Sequence, residues 1–190
     1  MEKGPLDDRK NALEEEFFRK ENAAVIARLR ATQERGQQRE AMAAASGITD
    51  EAVLDRLIDQ GLNAASSAAV ALVPLVAVAW ADRKLDESER RAVLAEAASS
   101  GLGAGTAGYE LLEGWLRQAP PPSLLATWVE YAQALASNME AGDRQTFRDT
   151  LLTRAKAVAT AAGGGFAGLG SKVSGAEQAV LRTIEEALAG

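Results

Sequence analysis

The sequence contains no cysteine and no histidine. Without cysteine there is no disulfide framework, no thiolate nucleophile and no redox centre. Without histidine, Ser-His-Asp and Cys-His catalysis and a histidine pH switch are also excluded, as are zinc sites built on sulfur or imidazole. The remaining reactive groups are carboxylates, Lys, Arg, Tyr and hydroxyls, and the sequence singles out no converging pair of carboxylates. We therefore expect a protein that is not an enzyme.

Aromatic residues make up only 5% of the chain, whereas hydrophobic residues as a whole make up 47%. Sheets favour β-branched and aromatic side chains, and the abundant Ala, Leu and Glu favour helices. A chain of 190 residues is long enough for one well-buried domain and an appendage. The composition therefore predicts an all-α fold with few strands or none.

The chain carries a formal net charge of -6 and has a pI of about 4.9. This charge opposes binding to phosphate backbones and to anionic lipid surfaces, so we expect no nucleic-acid partner. The opening segment MEKGPLDDRKNALEEEFF is too charged for a signal peptide, which needs an uninterrupted apolar stretch. These features predict a cytoplasmic protein.

Residues 1–45 are predicted to form a long, charged helical arm, and residues 46–190 the helical domain. No proline interrupts the segment from Leu6 to Ala45, although Gly36 is a weak point. Two narrow apolar stripes follow helical spacing, and neither is wide enough for full burial. They comprise Leu6, Leu13, Phe17 and Ala24, and Phe18, Val25 and Leu29. The arm either lies over its own domain or packs on another protein chain, and both alternatives stay open.

The domain is predicted to begin with a short helix capped by Thr49 and ended by Gly61 in the left-handed conformation. The uncharged stretch from Ala64 to Ala81 predicts a central helix kinked at Pro74, buried in the core in preference to crossing a membrane. Further helices are predicted to start near Asp86, Thr106, Ser123, Asp143 and Gly175.

Two of these helix starts show the same capping-box pattern, in which a capping residue is followed three positions later by Glu. The first is Asp86 with Glu89, and the second is Ser174 with Glu177. Two such units are too few for a solenoid, which needs at least three repeats of fixed period.

The segment Ala81-Asp82-Arg83-Lys84-Leu85-Asp86-Glu87-Ser88-Glu89 follows the apolar stretch. It resembles the signature of the tellurite-resistance TerB-like family: an apolar helix ending in Ala-Asp-Gly, two residues, Asp, two residues, Glu. The resemblance continues through residues 109–116 and 164–178, and spans about residues 62–190. The sequence departs from the family at Arg83, where Gly is common, and Lys84 adds a second positive charge.

This resemblance implies a compact bundle of about seven helices that acts in bacterial stress-response and tellurite-resistance systems and is not an enzyme. It also implies an acidic cluster, Asp82, Asp86 and Glu89, that binds a divalent metal ion weakly, Ca²⁺ or Mg²⁺. Three carboxylates provide only part of the six to eight oxygens that Ca²⁺ prefers. The alternative, which the residues themselves favour, is that Asp86 and Glu89 only cap the next helix.

The run from Gly163 to Gly168 formally matches the GxGxxG fingerprint, which requires a preceding strand. Because a helix is predicted before this run, we interpret it as a loop and expect no nucleotide cofactor.

The leading functional hypothesis is a TerB-like interaction or scaffold module with a protein partner that binds the N-terminal helix. A second resemblance supports an alternative. Asp8-Arg9, Ala12-Leu13-Glu14 and Phe17 are similar to the opening of the zeta-type inhibitor of bacterial F-type ATP synthases. That resemblance implies a regulator whose N-terminal helix inserts into a larger machine.

Overall fold

A computed structural model describes residues 5–161 and 173–189, with side chains from residue 16 onwards. Within these ranges the chain forms eight α-helices and one 3₁₀ helix, without a strand, which confirms the all-α prediction. The α-helices are α1 (Pro5–Ser46), α2 (Glu51–Asp59), α3 (Val73–Ala79), α4 (Glu87–Ser99), α5 (Ala107–Arg117), α6 (Pro122–Ser137), α7 (Ala141–Ala161) and α8 (Gly175–Ala187); the 3₁₀ helix is Ala64–Leu72.

The chain divides into two compact units, Met1–Glu40 and Ala41–Gly190. The first unit consists of helix α1 up to Glu40, and Gly36 does not interrupt the helix. A glycine in a helix interior costs about 0.5–1 kcal/mol relative to Ala, which the surrounding good helix formers offset. The second unit includes the last residues of α1, where Met42 is fully buried.

Helix α3 lies at the centre of the second unit. It packs against α4, α6, α7 and α8. Six of its seven residues are buried, and Leu75, Val76 and Val78 are completely so. This burial confirms the prediction that the uncharged stretch around Pro74 forms the core. Apolar burial of this kind contributes about 25 cal/mol for each Å² removed from water.

The prediction of a single kinked helix over Ala64–Ala81 is wrong. The chain forms the 3₁₀ helix first and starts α3 at Val73, so that Pro74 lies in the first turn of α3. Proline is tolerated there because its missing N–H is not needed, whereas inside a continuous helix its ring would clash with the carbonyl of Val70. The side chains of Ala65, Ala68 and Ala71 are exposed at every third position, as the three-residue turn of a 3₁₀ helix requires.

The 3₁₀ helix begins with a reciprocal cap between Asn63 and Ser66. The Asn63 side chain accepts a hydrogen bond from the Ser66 N–H at 3.1 Å, and the Ser66 hydroxyl accepts one from the Asn63 N–H at 3.0 Å. Helix α5 packs on this segment at Gly108, where an added Cβ would lie 2.8 Å from Leu102 Cδ1 and 3.5 Å from the carbonyl oxygen of Ser66. A side chain at this position would therefore require the end of the Leu102 side chain to shift, whereas 3.5 Å from the Ser66 backbone is an ordinary van der Waals distance.

Two predicted caps are corrected. Helix α2 is capped by Asp50 instead of Thr49, and its Oδ1 accepts hydrogen bonds from the N–H groups of Ala52 at 2.9 Å and Val53 at 3.0 Å. Helix α6 has Pro121 at the N-cap position, so Ser123 lies inside the first turn. Pro122 follows at the first helical position, where its fixed φ is already helical, and this explains the earlier start.

The predicted end of α2 is confirmed, since Gly61 has a φ of +84°. The Leu62 N–H donates to the Leu57 carbonyl at 3.1 Å, and the Gly61 N–H donates to the Ile58 carbonyl at 2.9 Å. This pair of bonds is the Schellman motif, which satisfies carbonyls that have no partner within the helix. The glycine run at residues 163–168 lies outside the described residues.

Within the described residues, no single helix is both long and apolar enough to cross a bilayer. The segments Glu51–Asp59 and Ala64–Ala79 reach the required length only together, and they are bent by 89° at their junction.

Candidate functional site

The acidic turn that the sequence singled out joins α3 to α4. Asp82 is exposed, and its Oδ1 accepts a hydrogen bond from the Lys84 N–H at 2.9 Å. Asp86 caps α4: its Oδ1 accepts bonds from the Ser88 N–H at 2.7 Å and from the Ser88 hydroxyl. These hydrogen bonds, that of the Ser88 hydroxyl first, lower the pKa of Asp86 below its usual value. The carboxylates of Asp82 and Asp86 therefore both accept hydrogen bonds from backbone N–H groups of the turn.

Glu89 completes the predicted capping box. Its Oε2 accepts a hydrogen bond from the Asp86 N–H at 2.9 Å, and only 5% of the residue is exposed. Burial raises the pKa of Glu89, and the nearby charges of Glu177, Asp82 and Asp86 raise it further, although the Asp86 N–H acts in the opposite sense. Glu89 is thus a buried carboxylate near other acids, and it accepts a hydrogen bond at the start of α4.

Glu177 is the equivalent residue of the second capping box, at the start of α8. The Ser174 hydroxyl accepts a hydrogen bond from the Glu177 N–H at 3.2 Å, and Glu177 in turn bonds the Ser174 N–H. Glu177 is 7% exposed. The capping-box pattern that occurs twice in the sequence therefore places two buried glutamates, Glu89 and Glu177, each at the third position of a helix. The two side chains are close enough to interact electrostatically.

The structure thus places Asp82, Asp86 and Glu89 in one turn, as predicted, with each carboxylate accepting a backbone N–H. Across the described ranges, no group of three or more acidic side chains is positioned to hold a metal ion. The backbone of this turn is unusual at Arg83, whose φ is +69°. Left-handed backbone costs a residue with a side chain about 1 kcal/mol or more, and glycine adopts it freely.

A groove of about 330 Å³ lies between the end of α3 and the start of α6. Its walls are apolar apart from Arg83. The lining residues are Val73, Ala77, Trp80, Arg83, Ala119, Pro120, Pro121, Pro122, Leu124 and Leu125. This groove was not predicted from the sequence. A rigid proline run directly before an apolar helix face was the available signal.

The exposed face of α1 is the second feature of interest. Among the described residues, every large hydrophobic side chain that is clearly exposed lies on this helix: Phe17, Phe18, Val25, Ile26 and Leu29, between 49% and 64% exposed. The rings of Phe17 and Phe18 contact each other edge to face, with centroids 6.0 Å apart. A group of exposed apolar side chains on one element is a candidate interaction surface.

No known protein family, no curated protein and no solved structure matches this chain.

Proposed function

We propose that this chain is a non-catalytic interaction module of the TerB-like kind that acts in a bacterial stress response, with α1 as its docking element. The observation that carries the proposal is the confinement of the exposed large hydrophobic side chains to α1 within the described part of the chain. Burying one Phe or Leu side chain contributes about 1.5–3 kcal/mol, so covering several of them on a partner is strongly favourable.

The architecture of the second unit supports the TerB-like assignment. Seven described α-helices, α2 to α8, follow the arm, which is the number that the resemblance implies. Arg83 occupies the position where the family commonly has glycine, and its φ of +69° lies in the region that favours glycine. The departure at Arg83 therefore changes the residue and keeps the backbone geometry that a glycine would adopt.

The acidic turn supports a structural role in preference to a catalytic one. Asp86 and Glu89 are held by reciprocal bonds at the start of α4, and Asp82 bonds the backbone of its own turn. Carboxylates committed to N–H donors are poorly placed to exchange protons with a substrate. The same turn positions Trp80 and Arg83 at the groove, so it also shapes that surface.

The docking role is tested by recovering the complex of the full chain from its native host. A variant with Phe18→Ser and Leu29→Ser is compared with a matched control, Lys20→Ser and Ala27→Ser, on the opposite face of the same helix. We expect the control to retain the partner and the apolar-face variant to lose at least about 90% of it, since each lost contact costs 1 kcal/mol or more. Equal recovery by both variants would overturn the proposal.

The alternative, a regulator that inserts α1 into a larger machine such as an F-type ATPase, rests on the length of the helix. Its 42 residues form one uninterrupted helix of about 63 Å. The test adds the full chain, or a chain lacking residues 1–40, to the host ATPase. Inhibition by the full chain alone would favour the regulator, and equal rates with both would exclude it.

A further inference from the structure

The exposed residues of α1 contain a short seam with coiled-coil spacing. Phe18, Asn22, Val25 and Leu29 follow one another at intervals of four, three and four residues. This spacing places all four on one face of a helix, at alternating d and a positions of a heptad. Phe18, Val25 and Leu29 are 62%, 49% and 64% exposed, so the seam is uncovered along its length.

We propose that a second copy of this chain covers this seam, with the two α1 helices antiparallel; this rests on the proposed role of α1 as the docking element. In an antiparallel pair each a residue lies opposite a d residue of the other helix. Phe18 then packs against Leu29 of the second copy, and Asn22 against its Val25. The arrangement is symmetric about a point between residues 23 and 24, as a two-fold axis requires.

The charges that flank the seam select this orientation. The g positions, which border the seam, are Glu14, Glu21, Arg28 and Arg35. In an antiparallel pair the g positions of the two helices face each other, which matches Glu21 with Arg28 and Glu14 with Arg35. Every g position is thereby paired with the opposite charge, and the symmetry repeats each pair.

A parallel pair is less complementary, because it matches only two of the four g positions with an opposite charge. There a g position faces the e position five residues further along the other helix. Glu14 would then meet Arg19 and Arg35 would meet Glu40, while Glu21 would face Ile26 and Arg28 would face Gln33.

The wider charge distribution along α1 agrees with the antiparallel pair. Residues 7–16 contain five acids and two bases, a net charge of -3, whereas residues 28–39 contain four arginines and one glutamate, a net charge of +3. An antiparallel pair brings the acidic segment of each copy beside the basic segment of the other. A parallel pair would place like charges together in both segments, which is unfavourable at moderate salt.

The first test is sedimentation of the full-length chain over roughly 1 µM to 1 mM, a range that captures weak self-association. We expect a reversible species of twice the chain mass of 20.0 kDa. Glu21→Arg alone and Arg28→Glu alone each turn two attractive pairs per dimer into repulsive ones and weaken the dimer about tenfold. A mixture of the two variants restores both pairs, so it forms a mixed dimer of wild-type strength.

The orientation is tested by cross-linking, because the chain has no cysteine of its own. Phe18→Cys and Leu29→Cys variants are oxidised separately and as a mixture. We expect the mixed disulfide to dominate. Efficient disulfide formation by Phe18→Cys alone would overturn the antiparallel pair, as would a dimer that neither charge reversal weakens.

A wild-type chain that stays monomeric over the whole concentration range would also overturn self-pairing. That result leaves the docking role to be judged separately by the Phe18→Ser and Leu29→Ser variant in the host complex. A monomer that still loses its host partner on this substitution refutes self-pairing alone, whereas a monomer that keeps its partner refutes both proposals.

Discussion

The indole Nε1 of Trp80 donates a hydrogen bond of 2.9 Å to the main-chain carbonyl of Trp115. Trp80 follows directly after the end of α3, and Trp115 lies in the last turn of α5. Carbonyls in the last turn of a helix have no partner within that helix. The bond therefore satisfies a carbonyl of α5 and also fixes the Trp80 side chain, which forms one wall of the groove beside Pro120–Pro122.

Replacing Trp80 with Phe removes this donor and keeps an aromatic ring in place. We expect the free energy of unfolding to fall by about 1–3 kcal/mol, because a partly buried carbonyl loses its partner. Denaturant unfolding followed by circular dichroism measures the change. A Trp80→Phe variant as stable as the wild type would show that the hydrogen bond contributes nothing to joining the two helices.

The sequence predicted Thr49 as the N-cap of α2, whereas the structure has Asp50 at that position. Substituting each residue in turn tests which one caps the helix. Asp50→Ala removes an acceptor of two N–H groups, so we expect a loss of about 1 kcal/mol in the free energy of unfolding. The matched control is Thr49→Ala, for which we expect a change within about 0.5 kcal/mol. A larger loss of stability for Thr49→Ala than for Asp50→Ala would instead identify Thr49 as the cap.

Glu89 gives a pH-dependent prediction. Since burial raises its pKa in the folded state, the folded chain holds this proton more tightly than the unfolded chain does. The stability from Glu89 is therefore greatest below the unfolded pKa, about 4.3, and is lost as the pH rises through the folded value. Glu89→Gln keeps an acceptor for the Asp86 N–H and carries no charge.

We accordingly expect the melting temperature of Glu89→Gln to exceed that of the wild type at pH 7. The difference should shrink as the pH falls towards about 4.3, where the wild-type side chain is protonated as well. Glu87→Gln, an exposed residue of the same turn, is the control and should give no such gain. A Glu89→Gln variant that is less stable at pH 7 would mean that the negative charge stabilises the helix start.

Calorimetry tests whether the acidic turn binds a divalent metal ion. Within the described part of the chain, Asp82, Asp86 and Glu89 do not form a group that could hold a metal ion, so we expect Ca²⁺ or Mg²⁺ at millimolar concentration to give no saturable heat. Saturable heat that disappears in Asp82→Asn and Asp86→Asn would contradict this expectation and establish a divalent-metal site at the acidic turn.

The features predicted correctly from the sequence are those set by neighbouring residues. The capping box of Asp86 and Glu89, that of Ser174 and Glu177, and the left-handed Gly61 each involve contacts within a few positions along the chain. Hydrogen bonds between neighbouring residues determine these features, so the sequence alone is enough to predict them.

The features that the sequence reading missed depend on distant contacts. The apolar stretch is divided into a 3₁₀ helix and α3 near Pro74, and the 3₁₀ helix packs against α5, which lies more than 30 residues further along the chain. The groove needs Trp80 to be held by Trp115, which is 35 residues away in the sequence. No local pattern specifies either contact.

The exposed stripe on α1 was only partly predicted from the sequence. Its spacing at Phe18, Val25 and Leu29 was visible in the sequence, but whether those side chains were covered was left open. The structure leaves all three exposed.

The most direct test of the docking role of α1 is photo-cross-linking of the full-length chain in its host. A photoreactive phenylalanine analogue is placed at position 18 or 29 on the apolar face, and at position 20 or 27 on the opposite face. We predict cross-linked products from positions 18 and 29 at a yield at least about tenfold above that from positions 20 and 27. Equal yields from both faces, or no product from positions 18 and 29, would contradict the claim that this face of α1 binds a partner.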